Sequence, residues 1–405
     1  MSRFLLALVL SSVLVTHGVP ELDICLDCVP EVRFSNVSKH FRKEIRPMFT
    51  KWQSVVNQTL TAEEREAWVN ALKLSEVKFE EYWRELVGIV GWFMLPTERG
   101  AALLDDLLLF QAVYELGSPT GNQCSGLLAA DREGHVFHGR NMDYSFPFTM
   151  PDGSVYNWPE VTYIGKYWKG GQLLFTAPSF LLYTGLHTGM RYGGWTFEQN
   201  TRPGNHRGKN LEALQAQGGD LFGWAARRII ENTATFKEAV RAFASRDFMA
   251  PMYFILSGPG PFEGAVIARD RSTELLEDTP TLQLLSNETW YLLQTNDDSN
   301  KQPKDARRPL TQALLTFQHP EDVDRKFMWK NIRSPTLVGD LTVFTWVADV
   351  KTGQTELMTR SEFLAAEKQF QASALDATRL ASTGKRVGHT KWARRALLAH
   401  EGLDS

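Results

Sequence analysis

Three cysteines occur in this 405-residue chain, at positions 25, 28 and 124, and their spacing separates them into a pair and a single thiol. Cys25 and Cys28 make a Cys-x-x-Cys that can close on itself, and a zinc knuckle at that place lacks its second ligand pair. Cys124 is then the odd thiol. A lone cysteine is ordinarily a small buried apolar side chain. Cys124, however, stands where a turn-rich stretch, Gly117-Ser118-Pro119-Thr120-Gly121, hands over to an apolar strand. Amide cleavage needs a nucleophile, a base and donors for the tetrahedral oxyanion. A cysteine at a chain terminus supplies the first two, because its own amine lies within reach of its sulfur. Cutting the Gln123-Cys124 bond would create that amine. With an ordinary amine pKa near 8, only about one amine in a thousand is neutral near pH 5, so neighbours must retune the site. His138 and His187 permit a rival Cys-His pairing. Cys124 lacks the Cys-Gly-Ser-Cys-Trp context of papain-like enzymes, and a satisfied strand histidine is the simpler reading of both.

The elements around Cys124 change character at that residue. Residues 35 to about 117 read as helical: Thr61 with Glu64 makes a capping box, and Ala101 to Leu116 ends at Gly117. The Trp52, Trp68, Trp83, Leu86 and Trp92 series is a core stripe or an apolar surface for lipid. Beyond Cys124 the pattern is of strands, with Ser125 to Ala130 and His135 to Asp143 joined by a hairpin turn. Val161 to Trp168 and Gln172 to Thr176 repeat the device around Gly170-Gly171. Helices are expected over Leu211 to Asn232, Phe236 to Ser245 and Pro309 to Phe317. Strands are expected at Met252 to Ser257, Ala265 to Asp270 and Tyr291 to Thr295, with a last pair within Leu341 to Thr359. Strands, helices and strands again suggest sheets packed between helical layers.

Residues 1–18 read as a signal peptide: Arg3, an apolar run from Phe4 to Val15, then turn residues around Gly18 and Pro20. An apolar run of roughly a dozen residues is short of the ~20 that span a bilayer. Three Asn-x-Ser/Thr acceptors, at Asn36, Asn57 and Asn287, fit a secretory compartment. The 44 basic and 47 acidic residues leave a formal charge of -3, so nothing electrostatic points to nucleic acid. Residues 361–405 form a separate tail, helical at first and basic after Lys385, which is either solvated or in contact with an anionic membrane surface.

One run of motifs is specific. Cys124-Ser125-Gly126, Asp131, Gly134-His135 and His138-Gly139-Arg140-Asn141-Met142-Asp143-Tyr144 resemble the nucleophile region of the acid ceramidase and N-acylethanolamine-hydrolysing acid amidase family, which are N-terminal nucleophile hydrolases. Gly185-Leu186-His187-Thr188-Gly189, Gln294-Thr295-Asn296 and Asp305-Ala306-Arg307-Arg308 are similar to further segments of it. Val29 to Arg33 and Met358-Thr359-Arg360 resemble the acid amidase branch. The likeness covers roughly residues 25 to 360. It implies that Arg140 favours thiolate at Cys124, that Asp143 orients the freed amine, that Asn296 donates to the oxyanion and that Arg307 braces the site. Positions 140 and 143 of one strand point to opposite faces unless the strand ends or bends between them. Two departures stand out: Asn200-Thr201-Arg202 replaces the family's Asn-Glu-Arg, and Asn296-Asp297-Asp298 replaces Asn-Tyr-Asp.

The resemblance implies an α+β chain with an αββα N-terminal nucleophile sandwich preceded by a helical segment. The expected divisions are a signal peptide (1–18), a helical alpha subunit (19–123), a catalytic beta subunit (124–360) and the tail (361–405). Cleavage before Cys124 would give an alpha-beta heterodimer in a lysosomal or secreted setting. It would hydrolyse N-acylethanolamines through a Cys124 thioester, with no cofactor or metal. The alternatives are a ceramide-hydrolysing enzyme and a secreted lipid-binding glycoprotein without turnover.

Overall fold

The structure, a computed structural model, describes residues 18–93, 97–117, 123–271, 281–304, 306–362 and 364. The signal peptide, turn residues 118–122 and nearly all of the tail expected from the sequence lie outside the described residues. The chain divides into two units, residues 1–360 and 361–405, and the fold below is that of the first.

A short strand, β1 (Glu21–Cys25), precedes the helical segment, and the Cys25–Cys28 disulfide closes just after it. Helices α1 (Ser35–His40), α2 (Ile45–Thr59), α3 (Ala62–Lys73), α4 (Glu80–Val90) and α5 (Thr97–Gln111) follow. The Thr61/Glu64 capping box starts α3 as its sequence signature requires. Trp52, Trp68, Trp83 and Leu86 are buried in the main hydrophobic core, and Trp92 packs half-buried against it. The stripe is therefore core and not an exposed lipid-facing surface, and Trp52 also edges an apolar groove. Helical periodicity gives the apolar face but not what covers it, and here other helices cover much of it: Trp52 packs on Phe110 of α5, against which α3 and α4 also lie.

From Gln123 the chain builds β2 (Gln123–Ala130), β3 (Val136–Asp143), the small hairpin of β4 (Phe148–Thr149) and β5 (Val155–Tyr156), β6 (Thr162–Lys169) and β7 (Gln172–Phe180). Gly170 and Gly171 both take positive φ in the β6–β7 turn, which that tight reversal demands. Strands β8 (Thr188–Arg191) and β9 (Trp195–Thr201) come next, then α6 (Arg207–Gln217), α7 (Phe222–Asn232) and α8 (Phe236–Ala244). The single helix expected over Leu211 to Asn232 is thus two. Gly218, at φ 64°, is the left-handed cap that ends the first. The remainder is β10 (Met252–Ser257), β11 (Gly264–Arg269), β12 (Leu282–Leu284), β13 (Tyr291–Gln294), α9 (Arg307–Leu315), α10 (Arg325–Ile332), β14 (Thr342–Asp349) and β15 (Gln354–Thr359).

Two main sheets result, ordered β1-β6-β7-β8-β9-β10-β11-β12 and β13-β2-β3-β14-β15. Leu128, Ala130 and Val136 of the second meet Tyr253, Ile255 and Val266 of the first in a shared core. The alternate residues Leu127, Ala129 and Phe137 face outward onto Leu315 of α9 and Met328 and Ile332 of α10. Phe243 of α8 packs edge-on against Trp195 and at a tilt against Phe197 and Phe254 of the first sheet. The expected αββα architecture is the one observed. Strand β1 joins the first sheet by parallel pairing with β6, so the segment before residue 124 enters the sandwich itself.

Candidate active site

Cys124 is the second residue of β2, where exposed Gln123 gives way to a wholly buried strand. Antiparallel pairing with β3 sets Cys124 opposite Met142 and Gly126 opposite Arg140. Residues opposite one another share a face. Cys124 and Arg140 therefore both point at the other sheet, like Leu128 further along. Arg140 Nη2 reaches to 3.7 Å from Cys124 Sγ. The rest of the guanidinium is tied down: Nη1 donates to the His187 carbonyl and Thr188 Oγ1, each at 2.5 Å, and Nη2 donates to the Gln199 carbonyl at 3.0 Å. Cys124 is the free cysteine and is buried. Burial pushes its thiol pKa up, and the pull of Arg140 in the opposite direction does not cancel that.

The backbone of Cys124 is gripped from the other side. Its N–H donates to Asn296 Oδ1 at 2.8 Å, and its carbonyl accepts from Arg307 Nη1 at 3.1 Å. Arg307 Nη2 also donates to Asn296 Oδ1, at 2.8 Å, and Arg307 Nη1 lies 3.5 Å from Asp143 Oδ2. Thr342 Oγ1 donates to Asp143 Oδ1 at 2.7 Å. Arg307 can do this because it is the first residue of α9, which packs against β13, the neighbour of β2 in the sheet. Asp143 ends β3 opposite an irregularity of register in β14, and it lines the same cavity as Cys124. The parity problem between 140 and 143 is resolved by the strand ending there. Asn296 Nδ2 donates to the Thr201 carbonyl at 2.9 Å, so this side chain bridges the Cys124 nitrogen and the end of β9.

All five expected residues, Cys124, Arg140, Asp143, Asn296 and Arg307, thus meet at one place. The two histidines do not form a Cys-His pair. His138 Nδ1 pairs with Thr196 Oγ1 at 2.8 Å, deep between the sheets. His187 lines the cavity, but burial, with Arg140 beside it, drops its pKa to about 3. A nitrogen that weakly basic does not take the thiol proton. All three glycosylation acceptors, Asn36, Asn57 and Asn287, are exposed.

Three further residues shape the site. Glu198 is fully buried, with Oε2 at 3.6 Å from His138 Nε2 and 3.9 Å from Arg140 Nε. Gly126 makes its room, since a Cβ there would lie 1.8 Å from Glu198 Oε1. Gln199 and Thr201 both line the cavity. The signal for Glu198 was in the sequence: Trp195 and Phe197 alternate with Thr196, Glu198 and Asn200, a strand with one polar face turned inward. Phe180, Trp158, Val113 and Tyr144 form the apolar side of the cavity. Val113 and Tyr144 continue into an apolar groove lined by Trp52, Val56, Leu60, Leu116 and Phe146. Among the described residues, no cluster suited to a metal ion occurs and no helix is long and apolar enough to cross a membrane.

The chain is 28% identical over 361 residues to acid ceramidase from Pan troglodytes, covering 84% of this chain and 86% of that protein. It is 30% identical over 308 residues to N-acylethanolamine-hydrolyzing acid amidase from Oryctolagus cuniculus, covering 74% of this chain and 78% of the relative. Among solved structures, a Caenorhabditis elegans N-acylethanolamine-hydrolyzing acid amidase ortholog aligns with a TM-score of 0.49 and 27% identity, over 56% of this chain and 93% of the other. No protein-family model matches the chain.

Proposed function

The chain belongs to the acid ceramidase and N-acylethanolamine-hydrolysing acid amidase family, and from that membership we propose that it hydrolyses the amide bond of N-acylated lipids with Cys124 as nucleophile. The observation that carries this reading is the free, buried Cys124 with a guanidinium nitrogen 3.7 Å from its sulfur and Asn296 bound to its nitrogen.

Cleavage before Cys124 turns that nitrogen into an amine, already held by Asn296 Oδ1. The amine takes the thiol proton, and Arg140 stabilises the sulfur anion as it forms. Sγ then attacks the amide carbonyl, and the carbon–nitrogen bond breaks as the leaving nitrogen receives the proton from the Cys124 ammonium. The acyl group remains as a thioester, which water hydrolyses to the fatty acid and the free thiol. Asn296 Nδ2 serves as oxyanion donor once it leaves the Thr201 carbonyl. Arg307 and Asp143 position Cys124 and its amine rather than touching the acyl group. The apolar groove running from Val113 and Tyr144 supports an acyl chain as the non-polar half of the substrate.

The matured protein is an alpha-beta heterodimer of residues 19–123 and 124–405, in a lysosomal or secreted setting. The pairing of β1 with β6 and the buried Glu85–Arg227 ion pair join the two portions across the cleavage point. Hydrolysis of an N-acylethanolamine and of a ceramide, followed between pH 4.5 and 7, tests the proposal. We expect fatty-acid release by the wild type and none by Cys124→Ala. Binding without release by the wild type would make it a lipid-binding protein instead.

A further inference from the structure

We propose that His187 and Gln199 form a polar subsite that recognises a hydroxyl group on the amine half of the substrate; this rests on the amide-hydrolase reading above.

His187 and Gln199 line the same cavity as Cys124. Their side chains are joined, His187 Nδ1 to Gln199 Oε1 at 3.2 Å. Their backbones are joined too, with the Gln199 N–H donating to the His187 carbonyl at 2.9 Å. The guanidinium that touches the sulfur also anchors both, through Nη1 to the His187 carbonyl and Nη2 to the Gln199 carbonyl. The pair is therefore held in a fixed position relative to Cys124 Sγ by one side chain. That is how a recognition element must be mounted if it is to place a substrate for attack.

The pair is incompletely used. With its Oε1 taken by His187, Gln199 keeps Nε2, which is buried and has no hydrogen-bond partner among the described residues. Buried donors of this kind are rare unless a ligand or water satisfies them. If Nδ1 of His187 carries the proton given to Gln199, Nε2 of the ring is left as an acceptor. Burial keeps the imidazole neutral down to about pH 3, so the acceptor persists through the acid range in which the amine of Cys124 must work. One donor and one acceptor side by side are the complement of a hydroxyl, which accepts once and donates once. The cavity joins the groove assigned to the acyl chain through Val113 and Tyr144, and neither His187 nor Gln199 lines that groove. The hydroxyl recognised is accordingly on the amine half. The ring of His187 is fixed by Phe222 at 4.8 Å and Tyr183 at 5.0 Å between centroids, so its nitrogens are presented in one orientation.

The test compares two amides of the same fatty acid, one of ethanolamine and one of ethylamine, which lacks only the hydroxyl. The wild type should prefer the ethanolamide by about tenfold or more in kcat/KM, as sites built to bond a hydroxyl do. In Gln199→Leu and in His187→Phe that ratio should collapse toward one, mainly through loss on the ethanolamide. A cooperative urea-unfolding transition like that of the wild type reports that each variant is folded. Equal rates on the two amides in the wild type would overturn the subsite while leaving amide hydrolysis standing, and so would a ratio preserved in both variants. Failure of the wild type to cleave either amide would overturn the functional reading and the subsite together.

Discussion

The guanidinium of Arg140 faces the sulfur of Cys124 at 3.7 Å and is fixed there by the His187 and Gln199 carbonyls. It is also fully buried, so its charge acts on the thiol with little screening by solvent.

Arg140→Gln keeps a hydrogen-bonding side chain but removes the charge. Burial already raises the Cys124 thiol pKa, and without Arg140 nothing nearby offsets that as strongly. The thiolate population should fall by about tenfold for each unit of further rise. Rates of Cys124 alkylation between pH 5 and 8 measure this directly. An alkylation profile matching the wild type, in protein shown to be folded, would remove Arg140 from the chemistry.

Gly126 and Glu198 are coupled by space. A methyl group at position 126 would lie 1.8 Å from Glu198 Oε1, and the carboxylate is enclosed with His138 and Arg140, so it has little freedom to retreat. Gly126→Ala should lower stability by about 1–3 kcal/mol, the ordinary cost of overpacking. In a Glu198→Ala background the same change should cost markedly less. Urea unfolding of the four proteins of that cycle gives the coupling, and additive effects would contradict the packing argument.

Glu115 gives a pH dependence. It is buried, its Oε1 accepts from the Phe222 N–H at 2.9 Å, and burial pushes its pKa up to about 8 from an ordinary 4.5. Its folded-state pKa thus lies above its unfolded value. The neutral acid favours the folded state fully below about pH 4.5, and that contribution is lost progressively as the pH rises toward 8. Wild-type protein should therefore lose thermal stability over this interval by more than Glu115→Gln does. Parallel Tm-against-pH curves for the two proteins would show that Glu115 does not ionise on unfolding.

The parts legible in the sequence were those set by local pattern. Met252–Ser257 is a strand because six consecutive buried residues leave no polar face, and its bounds match the apolar run. The five site residues came from motif resemblance, and the structure brings them together. What was not legible depended on what lies opposite. Whether Trp52 faces lipid or protein is decided by Phe110 of α5, more than fifty residues later. The His187–Gln199 contact lies one step beyond the Thr188–Glu198 pair of the β8–β9 hairpin, and no hairpin was read from the sequence there. The break at Gly218 was visible as a glycine pair, yet apolar residues on both sides masked it as one periodic helix.

The last prediction concerns the bond before the nucleophile. Gln123 is exposed and Cys124 buried, so the Gln123-Cys124 peptide crosses the boundary of the strand with its nitrogen held by Asn296. The sulfur lies one residue from the preceding carbonyl, which makes attack intramolecular and favours it entropically. Sγ adds to the Gln123 carbonyl carbon and the carbon–nitrogen bond breaks. The departing nitrogen gains a proton and becomes the Cys124 amine, leaving Gln123 as a thioester on Sγ. Water then releases the Gln123 carboxylate and restores the thiol. One residue thereby serves both maturation and turnover. Purified precursor held at acid pH should yield a fragment whose N-terminal sequence reads Cys-Ser-Gly-Leu-Leu, and Cys124→Ala should remain a single inactive chain. Equal cutting of the alanine variant would assign the cleavage to another protease, and a first residue other than Cys124 would deny the sulfur its terminal amine.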